Sequence, residues 1–372
     1  MDCNNLHESH INPVEVIRNE LRHTTKIERE HHRVEEWNKR RVALGEIINK
    51  EKLWDLATVI TKSKEMKKKP LSIDDYLKLQ MALIQSEENI GGFLSITGTI
   101  PALLRDITSA NPAIKLAAAH CLCNITLANS KRCSTLYKYA GPFIVEQLET
   151  LSNPLLEVSA WTIGNLSSGS KSAFKSLYAQ GCINRLLSLL RECDTMILHS
   201  LIYAITHCLY GGSELMSDTE IGEIARILVE RSCFENTSGL WALALLTSRV
   251  SCRDTIFLIL PIVFDKLAIL INDEYSNIIH ITAIIRLLAN SVDELPGSAA
   301  DIILNNPKYS LEDVNHIFDK LLLHPHIHVR KETLWLIGNL YNNSQPNINQ
   351  TMLSLLPRLS SLKFAIQSIT NK

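Results

Sequence analysis

The 372-residue sequence predicts an all-α chain, a solenoid of about seven helical repeats running from residue 71 onward. Three observations predict it. A Trp-x-x-x-Asn window recurs: WTIGNL at 161–166 returns as WLIGNL at 335–340, and degenerate copies stand at His120/Asn124, Tyr203/His207, Trp241/Leu245 and Arg286/Asn290. The steps between first positions are 41, 42, 38, 45 and 49 residues, inside the range that marks repeat architecture. Second, NPAIKLAAAHCLCNIT (111–126), NPLLEVSAWTIGNLS (153–167) and HPHIHVRKETLWLIGNLY (324–341) each place a Pro shortly before the helix that carries the window. A Pro there costs nothing, because the first helical amides are unbonded anyway. Third, no sustained period-2 alternation and no Asn-Gly hairpin turn occurs between apolar runs.

Taken in chain order, residues 1–60 read as a helical arm, 61–70 as a basic linker and 71–372 as the repeat array. Residues 14–42 predict a helix that is polar nearly all round, with Arg18, Arg22, Lys26, Arg29, Arg33 and Arg40 within about 80° of one another on a helical wheel. Residues 18–41 hold eight Lys/Arg against five Asp/Glu, so the helix is favoured when something acidic covers that face. TKSKEMKKKP (61–70), with five Lys against one Glu, is expected to be solvated linker.

Within the array, TGTIPALLRDI (97–107), YAGPFIVEQL (139–148) and AQGCINRLLSLL (179–190) each begin a further helix after a Gly that breaks the chain. TMILHSLIYAITHCLYGGS (195–213) carries no formal charge over nineteen residues, yet its His, Thr and Gly content favours a buried helix over a membrane span. Each unit is too small to close a core alone and must stack on its neighbours.

Composition narrows function. Lys+Arg 38 against Asp+Glu 39 gives a net charge of −1, and residues 71–372 carry 23 Lys/Arg against 27 Asp/Glu. No basic field draws the array to nucleic acid or to an anionic membrane. MDCNNLHESH has no basic-then-apolar leader pattern, so the nine Cys are expected as reduced, scattered thiols without a metal. No Walker loop, G-x-S-x-G, G-x-G-x-x-G or H-E-x-x-H occurs; an enzyme and a bound cofactor are not expected. His324, His326 and His328 alternate ahead of a repeat helix and fit a loop better than a metal site.

The window itself points to binding. On a wheel, Asn165 lies about 40° from Trp161, with Ile163, Leu166 and Ala160 on the far side, and Asn339 stands to Trp335 in the same way. Trp and Asn therefore share a face expected to look outward. An Asn amide both donates to and accepts from a peptide backbone, and indoles line a slot for a Lys or Arg stem. The candidate groove residues are Trp161, Asn165, Trp335, Asn339, Asn124, Trp241 and Asn290. The bland alternative is that each Trp packs on the next repeat and each Asn makes a local bond.

NPLLEVSAWTIGNLS, HPHIHVRKETLWLIGNLYN and ITGTIPALLRDI, with their spacing, resemble importin alpha, the armadillo-repeat adaptor family that carries nuclear-localisation-signal cargo. The resemblance covers most of residues 71–372. It implies an armadillo-type right-handed superhelix with the Trp/Asn pairs in a peptide groove, cargo proteins as partners, and residence in cytoplasm and nucleus.

ELR at 20–22 and KRRV at 39–42 resemble the family's importin-beta-binding arm. That implies carrier contact through Arg18, Arg22, Lys26, Arg29, Arg33, Lys39, Arg40 and Arg41, and allows KRR or KKK to fold back as a mimic of cargo. The family's acid four residues beyond the Asn is replaced here by Gly169, Ala128 and Asn343, and only Glu294 keeps it. Losing one such charge-assisted partner removes about 1.5–3 kcal/mol. The alternative function is an armadillo scaffold that binds other proteins without transport.

Overall fold

The computed structural model of the chain describes residues 54–127, 130–193, 195–273 and 277–370. Among these, helices α and 3₁₀ form and no strand does. The chain divides into two compact units, meeting in sequence at Leu127 and Ala128.

The first unit contains α1 (Leu56–Lys68), α2 (Ile73–Gln85), α3 (Glu87–Ser95), α4 (Thr99–Ile107) and α5 (Pro112–Ile125). Helix α1 corrects the linker expected at 61–70. Val59, Ser63 and Met66 recur on one face and are buried, and α1 packs on α3 and α4. Four of the lysines, Lys64, Lys67, Lys68 and Lys69, stay exposed on the opposite side. Lys67 and Lys68 sit in the last turn, where the helix dipole favours cations. Arg105 Nη2 donates to the Met66 carbonyl at 2.9 Å, tying α4 to the end of α1. Packed helical structure thus begins before residue 71.

The second unit contains α6 (Ser130–Glu146), α7 (Asn153–Gly169), α8 (Lys171–Ala179), α9 (Cys182–Glu192), α10 (Thr195–Gly212), α11 (Asp218–Glu230), α12 (Thr237–Leu246), α13 (Arg253–Phe257), α14 (Leu260–Leu270), α15 (Ile278–Asn290), α16 (Ala299–Leu304), α17 (Leu311–Leu322), α18 (Ile327–Tyr341), α19 (Pro346–Leu355) and α20 (Leu362–Thr370). The helices that carry the window pack in succession, α7 on α10, α10 on α12, α12 on α15 and α15 on α18. The others cover them. Helix α9 shows how: Cys182, Ile183, Leu186, Leu187 and Leu190 bury one face while Arg191 and Glu192 stay outside, each Leu contributing about 1.5–3 kcal/mol.

Helix starts follow local chemistry. Asn111 caps α5, its Oδ1 accepting from the Ala113 and Ile114 amides, and Pro112 takes the first position. Gly98 and Gly181 precede α4 and α9 with φ of 92° and 79°, a left-handed turn that other residues resist. At Gly141 the expected break is absent. Helix α6 runs through Gly141 and Pro142 without interruption, and Gly141 lies close to the Gln180 and Leu177 side chains. The uncharged run of 195–213 forms α10, buried over most of its length. No described helix is long and apolar enough to cross a membrane. Cys121, Cys123, Cys182, Cys193, Cys208, Cys233 and Cys252 are free thiols.

Candidate functional site

In the second unit the window residues fall on one series of helices, and their side chains divide into a closed part and an open part. In the second unit the closed part is α7 against α10. Trp161 is half-buried: its Nε1 donates to Ser200 Oγ at 2.7 Å, and its ring stacks on Tyr203 with centroids 4.8 Å apart. Ser200 in turn donates to Glu157 at 3.1 Å.

Asn165 is only 2% exposed, and its Oδ1 accepts from the Tyr203 hydroxyl at 2.8 Å. The outward face expected for Asn165 is therefore corrected. The polar ring edge of Tyr203, 38 residues on, covers the amide. Gly164 makes this possible, because a Cβ there would stand 2.5 Å from the Tyr203 ring.

Asn124, in the first unit, is likewise buried at 5% exposure, with Nδ2 donating to the Gln80 carbonyl at 3.0 Å. It too was expected on an open face and is not.

The open part lies on α12, α15 and α18. Trp241 and Trp335 are half-buried, Asn290 is exposed and Asn339 is half-buried. Asn290 Nδ2 donates to the Ala244 carbonyl at 3.0 Å, and Asn339 Nδ2 donates to the Ala289 carbonyl at 2.8 Å. Both acceptors belong to the last turn of the preceding window helix, where carbonyls have no intrahelical partner. Each Asn thus caps its neighbour and is held in one orientation. One turn further, Asn343 repeats the bond, Nδ2 to the Asp293 carbonyl at 3.0 Å. That is why an amide suits a position where an acid was expected. Glu294 is an acceptor from Ser344, and its carbonyl accepts from Gln345.

Arg286 holds the first window position on α15. It is 8% exposed, and its guanidinium pairs with the Glu332 carboxylate of α18, also 8% exposed. Arg286 Nε and Trp335 Nε1 are buried donors without an acceptor. On α15, Nδ1 of His280 bonds Thr237 Oγ1 at 2.9 Å, and burial, reinforced by the Lys266 cation, pushes its pKa below the ordinary 6.5.

Ser200 and Glu332 were not singled out from sequence, and Tyr203 was read only as a degenerate window position. Tyr203 occupies a first window position, and Glu332 stands one turn before Trp335, which are the signals they carried.

A cleft of about 530 Å³ opens away from these residues, bordered by Leu148, Leu151, Asn153, Arg185, Leu189 and Cys193. None of the window residues lines it. His324 serves the loop before α18: its Nδ1 accepts from the His326 amide at 3.2 Å, and its carbonyl accepts from Arg330 Nη1 at 2.6 Å. No three described His, Cys, Asp or Glu residues gather as metal ligands. Arg18, Arg22, Lys26, Arg29, Arg33, Lys39, Arg40 and Arg41 lie outside the described residues, as does the predicted helix at 14–42.

Comparison with known proteins follows the same lines. Over 254 residues, 65% of the chain, the sequence is 23% identical to importin subunit alpha-9 of Arabidopsis thaliana, and the match takes in 48% of that protein. The chain spans about half the length of this curated relative. A solved structure of an engineered protein superposes with a TM-score of 0.55 at 17% identity, over 76% of this chain and 68% of that one, a likeness of fold. A designed armadillo repeat protein gives a TM-score of 0.43 at 16% identity, over 75% of this chain and 98% of its own. No family model matches the chain. The chain has an all-α solenoid fold and resembles importin alpha in sequence.

Proposed function

We propose that the chain is a protein-binding adaptor of importin-alpha type, which takes an extended segment of a partner along α12, α15 and α18. The observation that carries this is the pair Asn290 and Asn339. Each is pinned by Nδ2 to a neighbouring carbonyl, and neither Oδ1 has a hydrogen-bond partner among the described residues. Two amides held in order, one repeat apart, suit the backbone of an extended chain whatever its sequence, with Trp241 and Trp335 supplying apolar walls. The similarity to importin subunit alpha-9 supports the same role.

On this reading the basic stripe of Arg18, Arg22, Lys26 and Arg29 contacts an importin-beta-type carrier, and the chain works in cytoplasm and nucleus. Asn165 and Trp161 support the adaptor from behind, as part of the repeat stack.

The test is a titration of the full chain with two fluorescent octapeptides, one alternating Lys and Ala, one alternating Ser and Ala. Asn290→Ala and Asn339→Ala are each expected to weaken both peptides by roughly three- to tenfold, the worth of one hydrogen bond. Unchanged affinity for both rules the groove out. A second reading, an armadillo scaffold without transport, is favoured by the closure of Asn165 under Tyr203. Capture of an importin-beta-type receptor by the wild-type chain, lost on Arg18→Glu with Arg22→Glu, separates the two.

A further inference from the structure

We propose that the cleft between α9 and the turn joining α6 to α7 is a second docking site, for a partner segment that carries leucine-like side chains beside a lysine or arginine. Leu148 and Leu151 belong to the turn, Leu156 to α7 and Ile197 to α10. On α9, Arg185, Leu189 and Glu192 follow one another at helical spacing and complete the walls. The volume, about 530 Å³, falls within the roughly 300–1,000 Å³ of ligand-binding clefts.

The lining names the occupant. Leu148, Leu156 and Ile197 are buried and form an apolar floor, whereas Leu151 is 100% exposed. The turn that carries Leu151 is bonded on both sides. The Thr150 amide donates to the Gln147 carbonyl at 3.2 Å, and the Leu155 amide to the Ser152 carbonyl at 3.0 Å. This backbone holds the side chain in water, where it adds nothing to the repeat stack and gains only when a partner covers it.

Three charged side chains line the cleft, Glu149, Arg185 and Glu192. Arg185 Nη2 pairs with Glu149 at 3.0 Å, and its Nη1 donates to the Val145 carbonyl at 2.7 Å. Glu192 is exposed and forms no ion pair among the described residues. The uncompensated charge is thus one carboxylate, which favours a cation on the incoming segment and repels an acid. Cys193, a free thiol, also lines the cleft, with Arg231 Nη2 3.8 Å from its Sγ, so its alkylation reports occupancy.

The probe is the fluorescent peptide Lys-Leu-Ala-Leu-Leu-Ala-Lys, titrated on the full chain at low salt. It is expected to bind and to slow alkylation of Cys193 by iodoacetamide, and the same peptide with Ser in place of Leu to do neither. Leu151→Ser, at a position open to water, is expected to weaken binding roughly tenfold. Glu192→Gln is expected to weaken it about threefold, a difference that added salt removes. Equal affinity of Leu151→Ser and wild type overturns the inference, as does the absence of binding, or binding that leaves Cys193 unprotected. Displacement of the probe by the Ser/Ala octapeptide assigns it to the window helices and also overturns the inference. So does self-association of the wild-type chain that Leu151→Ser abolishes, because the occupant is then a second copy.

Discussion

Gly164 and Gly338 hold the same place in WTIGNL and WLIGNL, yet the structure uses them differently. A Cβ at Gly164 would meet the Tyr203 ring at 2.5 Å, whereas a Cβ at Gly338 has open space within 4 Å. Gly164→Ala is expected to cost about 1–3 kcal/mol by forcing α7 and α10 apart. Gly338→Ala is expected to stabilise by about 0.5–1 kcal/mol, since Ala is favoured inside a helix. Thermal unfolding of the two variants should shift in opposite directions.

His280 gives a second test at the same scale. Burial lowers its pKa in the folded chain, so below the ordinary 6.5 the unfolded chain takes up a proton that the folded chain resists. Stability is full above that value and falls as pH drops through it. Melting at pH 7.5 and pH 5 should show the loss, and His280→Asn should reduce it.

The residue patterns were legible in sequence where they depend on a single helix, as with the Trp/Asn spacing. Burial of Asn165 was not, because its cover comes from Tyr203 and no wheel shows a partner 38 residues away.

Among elements, α1 and α6 teach the most. The segment 61–70 looked like linker because its lysines dominate the composition, while Val59, Ser63 and Met66 make a modest stripe that only packing reveals. Helix α6 looked like two helices because Gly-Pro usually breaks one. Pro142 is exposed, and it removes one backbone hydrogen bond from a helix that continues regardless. Pro142→Ala is therefore expected to stabilise by about 1–2 kcal/mol, the regained helix bond outweighing the looser unfolded chain. Denaturant unfolding checks the sign, and a midpoint below wild type contradicts it. Pro112 is the contrasting case: it heads α5, where Asn111 has already capped the turn, and its position was readable from sequence alone.

At the scale of the molecule, the period was the most legible feature, since the recurring window needs no knowledge of partners. A solenoid built this way distributes stability by nearest neighbours. Leu186 is fully buried in α9, which packs on α8, α10 and α11. Leu186→Ala is expected to cost about 2–5 kcal/mol and to speed amide exchange in α8 to α11, leaving α17 and α18 at their wild-type rates. Uniform acceleration across the second unit would contradict the repeat-by-repeat picture. What sequence did not show at this scale is which part of the window series is closed, because that depends on which neighbour brings a ring and which brings a guanidinium.

The end of α1 bears on self-regulation. Lys67 and Lys68 are helical, and Met66 beside them is anchored in the interior. A helix advances about 1.5 Å per residue where an extended strand advances about 3.3 Å. A surface that measures out a stretched backbone cannot engage these lysines in register unless the final turn melts and Met66 is pulled out. If the chain restrains itself with one of its own basic runs, Lys39, Arg40 and Arg41 can serve without unravelling α1, and the lysine run beside Met66 cannot.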